Sequence, residues 1–379
     1  MIPAASTKKG PRKPLKPAPE KSFVHSKSLV AAQPAAERIR QLDRLFASAG
    51  LTRNLRGKPG GVTRRTRLER RRSSAEPDEL SRPAPPPQVA SNGVEWLRVP
   101  GWERLRWLMH GFSTRRGGQS RAYCADDAPG ELNLGFTTAD SRETVAKNRW
   151  LLADAISGSP ETPLIPARQI HSSIVRLAGR SNTTLAQPCK GDGLVTNTPG
   201  LLLAVQTADC IPVLVADRRL RVVGAFHAGW RGTVKRIVES GVGRMRLDYG
   251  SRPQDLIAAI GPGIGPCCYA VGEEVLSSFE SQFPYFADLF CEVYDSDPVR
   301  TKYPMLFLTQ RAPGHSPIGP SLHLDLIEAN RRQLLAAGLS ARSIRVVGGC
   351  TSCRRDLFFS HRASKGHAGR MMAVIGIRP

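Results

Sequence analysis

Two apolar runs, Leu201 to Val205 and Ile211 to Val215, stand on either side of the short phrase Thr207-Ala208-Asp209-Cys210. Short apolar runs bounded by polar residues read as buried strand segments. They constrain the chain to a fold in which sheets are covered on both faces rather than exposed on one. The stretch from Leu201 to Ala216 is interrupted by Gln206, Asp209 and Pro212. It is therefore no membrane span, which needs roughly 18 consecutive apolar residues.

Strand and helix patterns alternate around this centre. Val222 to Phe226 reads as a strand ending at His227, with a tight turn over Ala228 to Gly232. Thr233 is the expected N-cap of a helix whose apolar face is Val234, Ile237, Val238 and Met245. Leu256 to Ile260 is a strand closed by Gly261-Pro262-Gly263. Asp325 caps a helix carrying Ile327, Leu334 and Leu335 that stops near Gly338. Ile344 to Val347 and Met371 to Ile375 complete the strands. No internal repeat is evident.

Residues 1–90 differ from the remainder. They hold 20 Lys and Arg against seven Asp and Glu, more than half of the chain's net charge of +23. Lys, Pro, Ala and Ser dominate residues 1–34, a short helix is expected over 35–49, and the prolines from Pro83 to Pro87 read as a stiff linker. The expected organisation is a disordered basic arm over 1–90 and one globular domain over 91–379. Basic charge at this density attracts polyanions, nucleic acid included. With only Phe23 and Phe46 as aromatics, however, the arm is poorly suited to stacking on single strands. Eight cysteines, no disulfide-like spacing and no apolar leader place the chain in a reducing compartment, expected to be the cytoplasm. The arm is free of acid up to Glu20 and sparse in it beyond, which leaves an organelle transit peptide open.

The chemistry concentrates in His171 of Gln169-Ile170-His171-Ser172, Cys210, and His227 of His227-Ala228-Gly229-Trp230-Arg231-Gly232. Imidazole and thiolate are the usual ligands of zinc, and three of them leave a fourth tetrahedral position open, as in catalytic sites. Asp209 and Ser172 are candidates to hold these ligands by hydrogen bonds. The same atoms allow a metal-free reading, with Cys210 as nucleophile and His227 as its base. Arg115, beside Gly117-Gly118, suits an anion such as phosphate. Gly191-Asp192-Gly193 is a weak phosphate loop. Cys350-Thr351-Ser352-Cys353 is a lone C-x-x-C without the second pair a zinc ribbon needs; His361 and His367 are disfavoured candidates to complete it, and the adjacent Cys267-Cys268 read as packing residues.

In this order, the phrases resemble one family. They run from His110-Gly-Phe-Ser-Thr-Arg-Arg-Gly-Gly through Leu132-Asn-Leu-Gly, Gln169-Ile-His-Ser and Gly191-Asp-Gly-Leu-Val-Thr. Thr207-Ala-Asp-Cys, His227-Ala-Gly-Trp-Arg-Gly, Pro266-Cys-Cys-Tyr, Asp356-Leu-Phe-Phe-Ser and Gly369-Arg-Met follow. The chain is similar over about residues 94–379 to the multi-copper polyphenol oxidase (laccase domain) family, also called the YfiH family of purine nucleoside phosphorylases. The resemblance implies an α+β fold with mixed sheets flanked by helices, distantly like deamidating toxin domains. It implies a metal site at His171, Cys210 and His227, holding zinc with copper as the alternative. It also implies phosphorolysis of adenosine, inosine, guanosine or methylthioadenosine, and deamination of adenosine. Its partners are then purine nucleosides and phosphate, and no membrane. On this reading Arg115, Cys210 and Asp209 are candidate catalytic residues, and Arg115 and Arg231 candidate substrate-binding residues. Arg168, Gly193, Gly263 and Ala270 depart from the family's usual residues without removing a ligand. Alternatives are a hydrolase editing peptidoglycan precursors in the same pocket and a copper-linked phenol oxidase. The latter is disfavoured because eight histidines are few for several coppers.

Overall fold

The computed structural model describes residues 86–124, 128–179, 188–293 and 321–379. The expected helix over 35–49 and nearly all of the basic arm lie outside these ranges. The strands are β1 (Gln88–Val89), β2 (Glu95–Leu97), β3 (Leu108–Ser113), β4 (Arg116–Ser120), β5 (Leu164–Pro166), β6 (Val175–Leu177), β7 (Gly193–Thr196) and β8 (Leu202–Thr207). They continue with β9 (Ile211–Asp217), β10 (Val223–Ala228), β11 (Leu256–Ile260), β12 (Phe290–Val293), β13 (Ser321–Leu324), β14 (Ile344–Val346) and β15 (Met371–Ile377). The helices are α1 (Arg142–Ser157), α2 (Trp230–Val234), α3 (Ile237–Tyr249), α4 (Glu273–Glu280) and α5 (Leu326–Ala336).

Two six-stranded mixed sheets form the centre, in the orders β1-β2-β3-β15-β8-β5 and β14-β11-β9-β10-β7-β6. Their strands alternate as buried strands should. Leu203 and Val205 of β8 and Ala373 and Ile375 of β15 meet Leu214 and Ala216 of β9 and Ala225 of β10 in the core between the sheets. The intervening residues face outward. Leu202, Ala204 and Val374 pack with Leu152, Ala153 and Ile156 of α1. Val213, Val215 and Phe226 pack with Val238, Val242 and Met245 of α3 and Leu334 of α5. The result is a helix–sheet–sheet–helix stack, an α+β fold with mixed sheets flanked by helices.

The two apolar runs thus lie in different sheets. Thr207 to Cys210 is the crossing from β8 to β9, which explains a polar phrase amid so much apolar sequence. Asp325 caps α5 by accepting from Glu328 N at 2.9 Å, as the sequence predicts. Thr233 is not the expected cap. The chain turns helical already at Trp230, and Arg236, with φ 61°, breaks it before α3 begins. Buried Thr233 instead sits beside Asn330 of α5, which donates to its hydroxyl at 3.1 Å. On the arm side of the expected boundary at residue 90, Gln88 and Val89 pair with β2. No helix among the described residues is long and apolar enough to cross a membrane.

Candidate metal centre

Antiparallel pairing of β9 and β10 sets Ala228 opposite Ile211 and His227 opposite Pro212. Cys210, one residue before β9, therefore meets the end of β10 across the ladder. The loop between β5 and β6 brings His171 over the pair. Ligand atoms of His171, Cys210 and His227 all lie within 4.8 Å of one another. Cys210 Sγ stands 3.8 Å from His171 Nε2. Tetrahedral zinc, with bonds of about 2.3 Å to sulfur and 2.0–2.1 Å to nitrogen, separates such atoms by roughly 3.6 Å. A Cβ on Gly229 would stand 2.8 Å from the His171 ring and 3.0 Å from Cys210 Sγ, so this glycine leaves the ligands their room.

Asp192 organises the centre. It is fully buried, and its carboxylate accepts from the successive amides of Ile170, His171 and Ser172, from Ser172 Oγ, and from His227 Nδ1 at 2.9 Å. A run of N–H groups curled on one anion is a backbone nest. It holds His171 in the left-handed region at φ 55°, a conformation costing on the order of 1–3 kcal/mol. Because a carboxylate only accepts, His227 Nδ1 carries the proton and Nε2 is turned toward Cys210. Burial acts to raise the carboxyl of Asp192, but the hydrogen bonds from His227 and Ser172 outweigh it and hold it well below the usual carboxylate range. Burial likewise pushes the Cys210 thiol up, while the charge of His227 and hydrogen bonds from both histidines bring it down to about 6. His227 shows the reverse. Burial lowers it, and Cys210 and Asp192 raise it to about 9. A thiolate facing an imidazolium whose proton a cation can replace fits a metal ligand set.

Sequence reasoning proposed Asp209 and Ser172 as supports and treated Gly191-Asp192-Gly193 as a weak phosphate loop. Ser172 does serve, through Asp192. The main support is Asp192 itself, whose only sequence signal was an acid between two glycines. Asp209, a catalytic candidate by sequence, is held in place: its carboxylate accepts from Thr351 Oγ1 and the amide of Arg362, each at 2.7 Å, and its carbonyl accepts from Ile264 N at 2.8 Å. At φ 96° it makes the sharp crossing that ends in Cys210.

Residues 109–378 match the family model for multi-copper polyphenol oxidoreductase laccase. The chain belongs to this family. It is 36% identical over 289 residues to the purine nucleoside phosphorylase YlmD of Geobacillus stearothermophilus, covering 75% of this chain and 94% of that protein. It is 33% identical to the adenosine deaminase RL5 of an unknown prokaryotic organism, covering 70% of this chain and 92% of RL5. The crystal structure of the Geobacillus YlmD superposes with a TM-score of 0.62 at 32% identity, over 78% of this chain and all of that one.

Within this laccase-family domain, Arg115 is engaged by protein partners. Its Nη2 is 2.5 Å from Glu131 Oε1, its Nη1 donates to the carbonyl of Arg355 at 2.7 Å, and its guanidinium lies over the Phe359 ring. Among the described residues none of its polar contacts reaches the three ligands. Arg115 thus braces the segment that Asp209 grips. Arg231 is exposed, stacked on Trp230 at 4.3 Å, with no ionic partner among the described residues. Tyr269 lies within electrostatic range of Cys210, Asp209, Arg231 and Arg362. Burial, the largest influence, pushes its phenol up to about 12. His110, the first residue of the family-like run, is buried beside Trp102 and accepts from Val99 N. It has no part in the centre.

Proposed function

We propose that the chain is a zinc-dependent purine nucleoside enzyme. It would cleave adenosine, inosine, guanosine or methylthioadenosine with phosphate to the free base and sugar 1-phosphate, and deaminate adenosine. The observation carrying this reading is the three-ligand cluster with an open side, its His227 oriented by Asp192, in a chain whose relatives are named purine nucleoside phosphorylase and adenosine deaminase. His171, Cys210 and His227 would hold the metal. Zinc there supplies a Lewis acid that activates water or polarises a bound substrate. Copper is the alternative cation, but the multi-copper name fits this chain poorly. Among the described residues the other ligand cluster is made of cysteines alone.

The remaining roles fall to the chain's own groups. Arg231, an exposed fork of donors without an ionic partner among the described residues, is suited to hold phosphate beside the ribose and to balance its charge as the glycosidic bond lengthens. Tyr269, whose phenol burial pushes up to about 12, keeps its proton through the neutral range and would serve as a hydrogen-bond donor to the leaving base or amine. Asp192 and Asp209 fix the ligands without touching substrate. The cytoplasm remains the expected location.

The test is incubation of the metal-loaded protein with adenosine or inosine, with and without phosphate, and separation of the products. Free base and ribose 1-phosphate that require phosphate support phosphorolysis, and inosine formed from adenosine supports deamination. If neither appears with the zinc- or copper-loaded protein, the purine reading fails.

A further inference from the structure

A second cluster of side chains lies at the ends of β11 and β14. These strands are parallel neighbours, with Ile260 opposite Val346, and both chains leave the sheet on the same side. The pairing continues past the strands. Val347 N donates to Ile260 O at 2.8 Å and Thr351 N to Gly263 O at 3.0 Å, with Cys350 bridged to Gly263. This register lays the turn of Cys350-Thr351-Ser352-Cys353 against the turn at Cys267-Cys268. His361 and His367, disfavoured by sequence as completing ligands, are not in the cluster. The cysteines read as packing residues are.

Four sulfurs converge. All four Sγ atoms lie within 4.8 Å of one another, with Cys353 3.5 Å from Cys267 and 3.4 Å from Cys268. A disulfide would hold two of them at about 2.05 Å. Four sulfurs at about 2.3 Å around a tetrahedral zinc are instead spaced roughly 3.8 Å apart. Backbone amides are aimed at the cluster too. Cys350 Sγ accepts from Gly265 N at 3.3 Å and from the amide of Cys353.

We propose that Cys267, Cys268, Cys350 and Cys353 bind a second metal ion, a tetrahedral zinc held by four sulfurs. Four thiolates select a borderline-soft cation over magnesium or calcium. With every position filled by protein, the ion is structural and leaves no place for substrate. It clamps together two loops that reach the first centre. Thr351, next to Cys350, holds Asp209, and Tyr269 follows Cys268. The site therefore acts on the chemistry by keeping Asp209 and Tyr269 in place.

Metal analysis of the full chain, purified under reducing conditions, tests this without any nucleoside. The expected content is two zinc ions per chain in the wild type and one each in Cys210→Ala and Cys353→Ser. X-ray absorption on zinc-loaded His171→Ala/Cys210→Ala should show an all-sulfur shell at about 2.3 Å. That measurement keeps all four cysteines, so it does not depend on whether Cys353→Ser folds. A wild-type content of one zinc that survives in Cys353→Ser would overturn the proposal. So would a nitrogen-containing shell in the double variant, or thiol titration of the native protein showing a disulfide within the cluster.

Discussion

Asp192→Asn changes one atom and should disable the first centre. The carboxylate takes five hydrogen bonds, from three consecutive amides, one hydroxyl and His227 Nδ1. An amide retains one accepting oxygen and presents N–H₂ on the other side. If the oxygen faces His171 N and His227 Nδ1, the new donors face the amides of Ile170 and Ser172. If it is reversed, they face His171 N and His227. Either way at least two backbone or ring donors lose their acceptor (Ser172 Oγ, also on the first side, can rotate to accept instead), at about 1–3 kcal/mol each, so the folded state should lose roughly 2–6 kcal/mol. The freed His171 turn and the untethered His227 ring should weaken zinc binding about 10–100-fold. Urea unfolding of the metal-free protein gives the first quantity, and competition with a chromophoric chelator the second. Stability within about 0.5 kcal/mol of wild type, together with unchanged zinc affinity, would refute the claim that this carboxylate builds the site.

Four further outcomes are expected. Gly229→Ala should reduce zinc affinity at least about tenfold by crowding His171 and Cys210, with little change in the far-ultraviolet spectrum; undiminished zinc binding would show that the ligands move aside. Burial, the largest influence, lowers His110 to about 4, while the unfolded chain takes up the proton near 6.5. Stability should therefore fall as pH drops from about 6.5 to 4, by up to roughly 3 kcal/mol, and His110→Gln should flatten that slope in urea titrations at pH 7 and 5. Arg115→Ala should cost about 2–4 kcal/mol by stranding Glu131, with Glu131→Gln restoring part of it, as read from thermal or urea unfolding. Arg231→Ala should leave stability unchanged but raise the KM for phosphate, which steady-state kinetics at limiting phosphate will show.

The sequence alone marked the central strands β8 to β11, β14 and β15, the cap of α5, and the three candidate ligands. Local pattern decides those. Five consecutive apolar residues can only be buried, Asp325 can only cap, and His-Cys-His is a short vocabulary for zinc. Tertiary structure decided what local pattern cannot encode. The runs flanking Thr207 to Cys210 belong to different sheets, which makes Asp209 a crossing residue whose carboxylate is held by Thr351 and Arg362. Asp192 looked like loop punctuation because its five donors come from residues 20 to 35 positions away along the chain. Arg115 looked free because Glu131 and Arg355 approach it only in the fold. Cys267-Cys268 and Cys350-x-x-Cys353 lie more than 80 residues apart, and nothing short of the parallel register of β11 and β14 brings four sulfurs to one point. Spacing reports neighbours along one element. It is silent on partners that pairing and packing bring together, and in this chain those partners build both candidate metal sites.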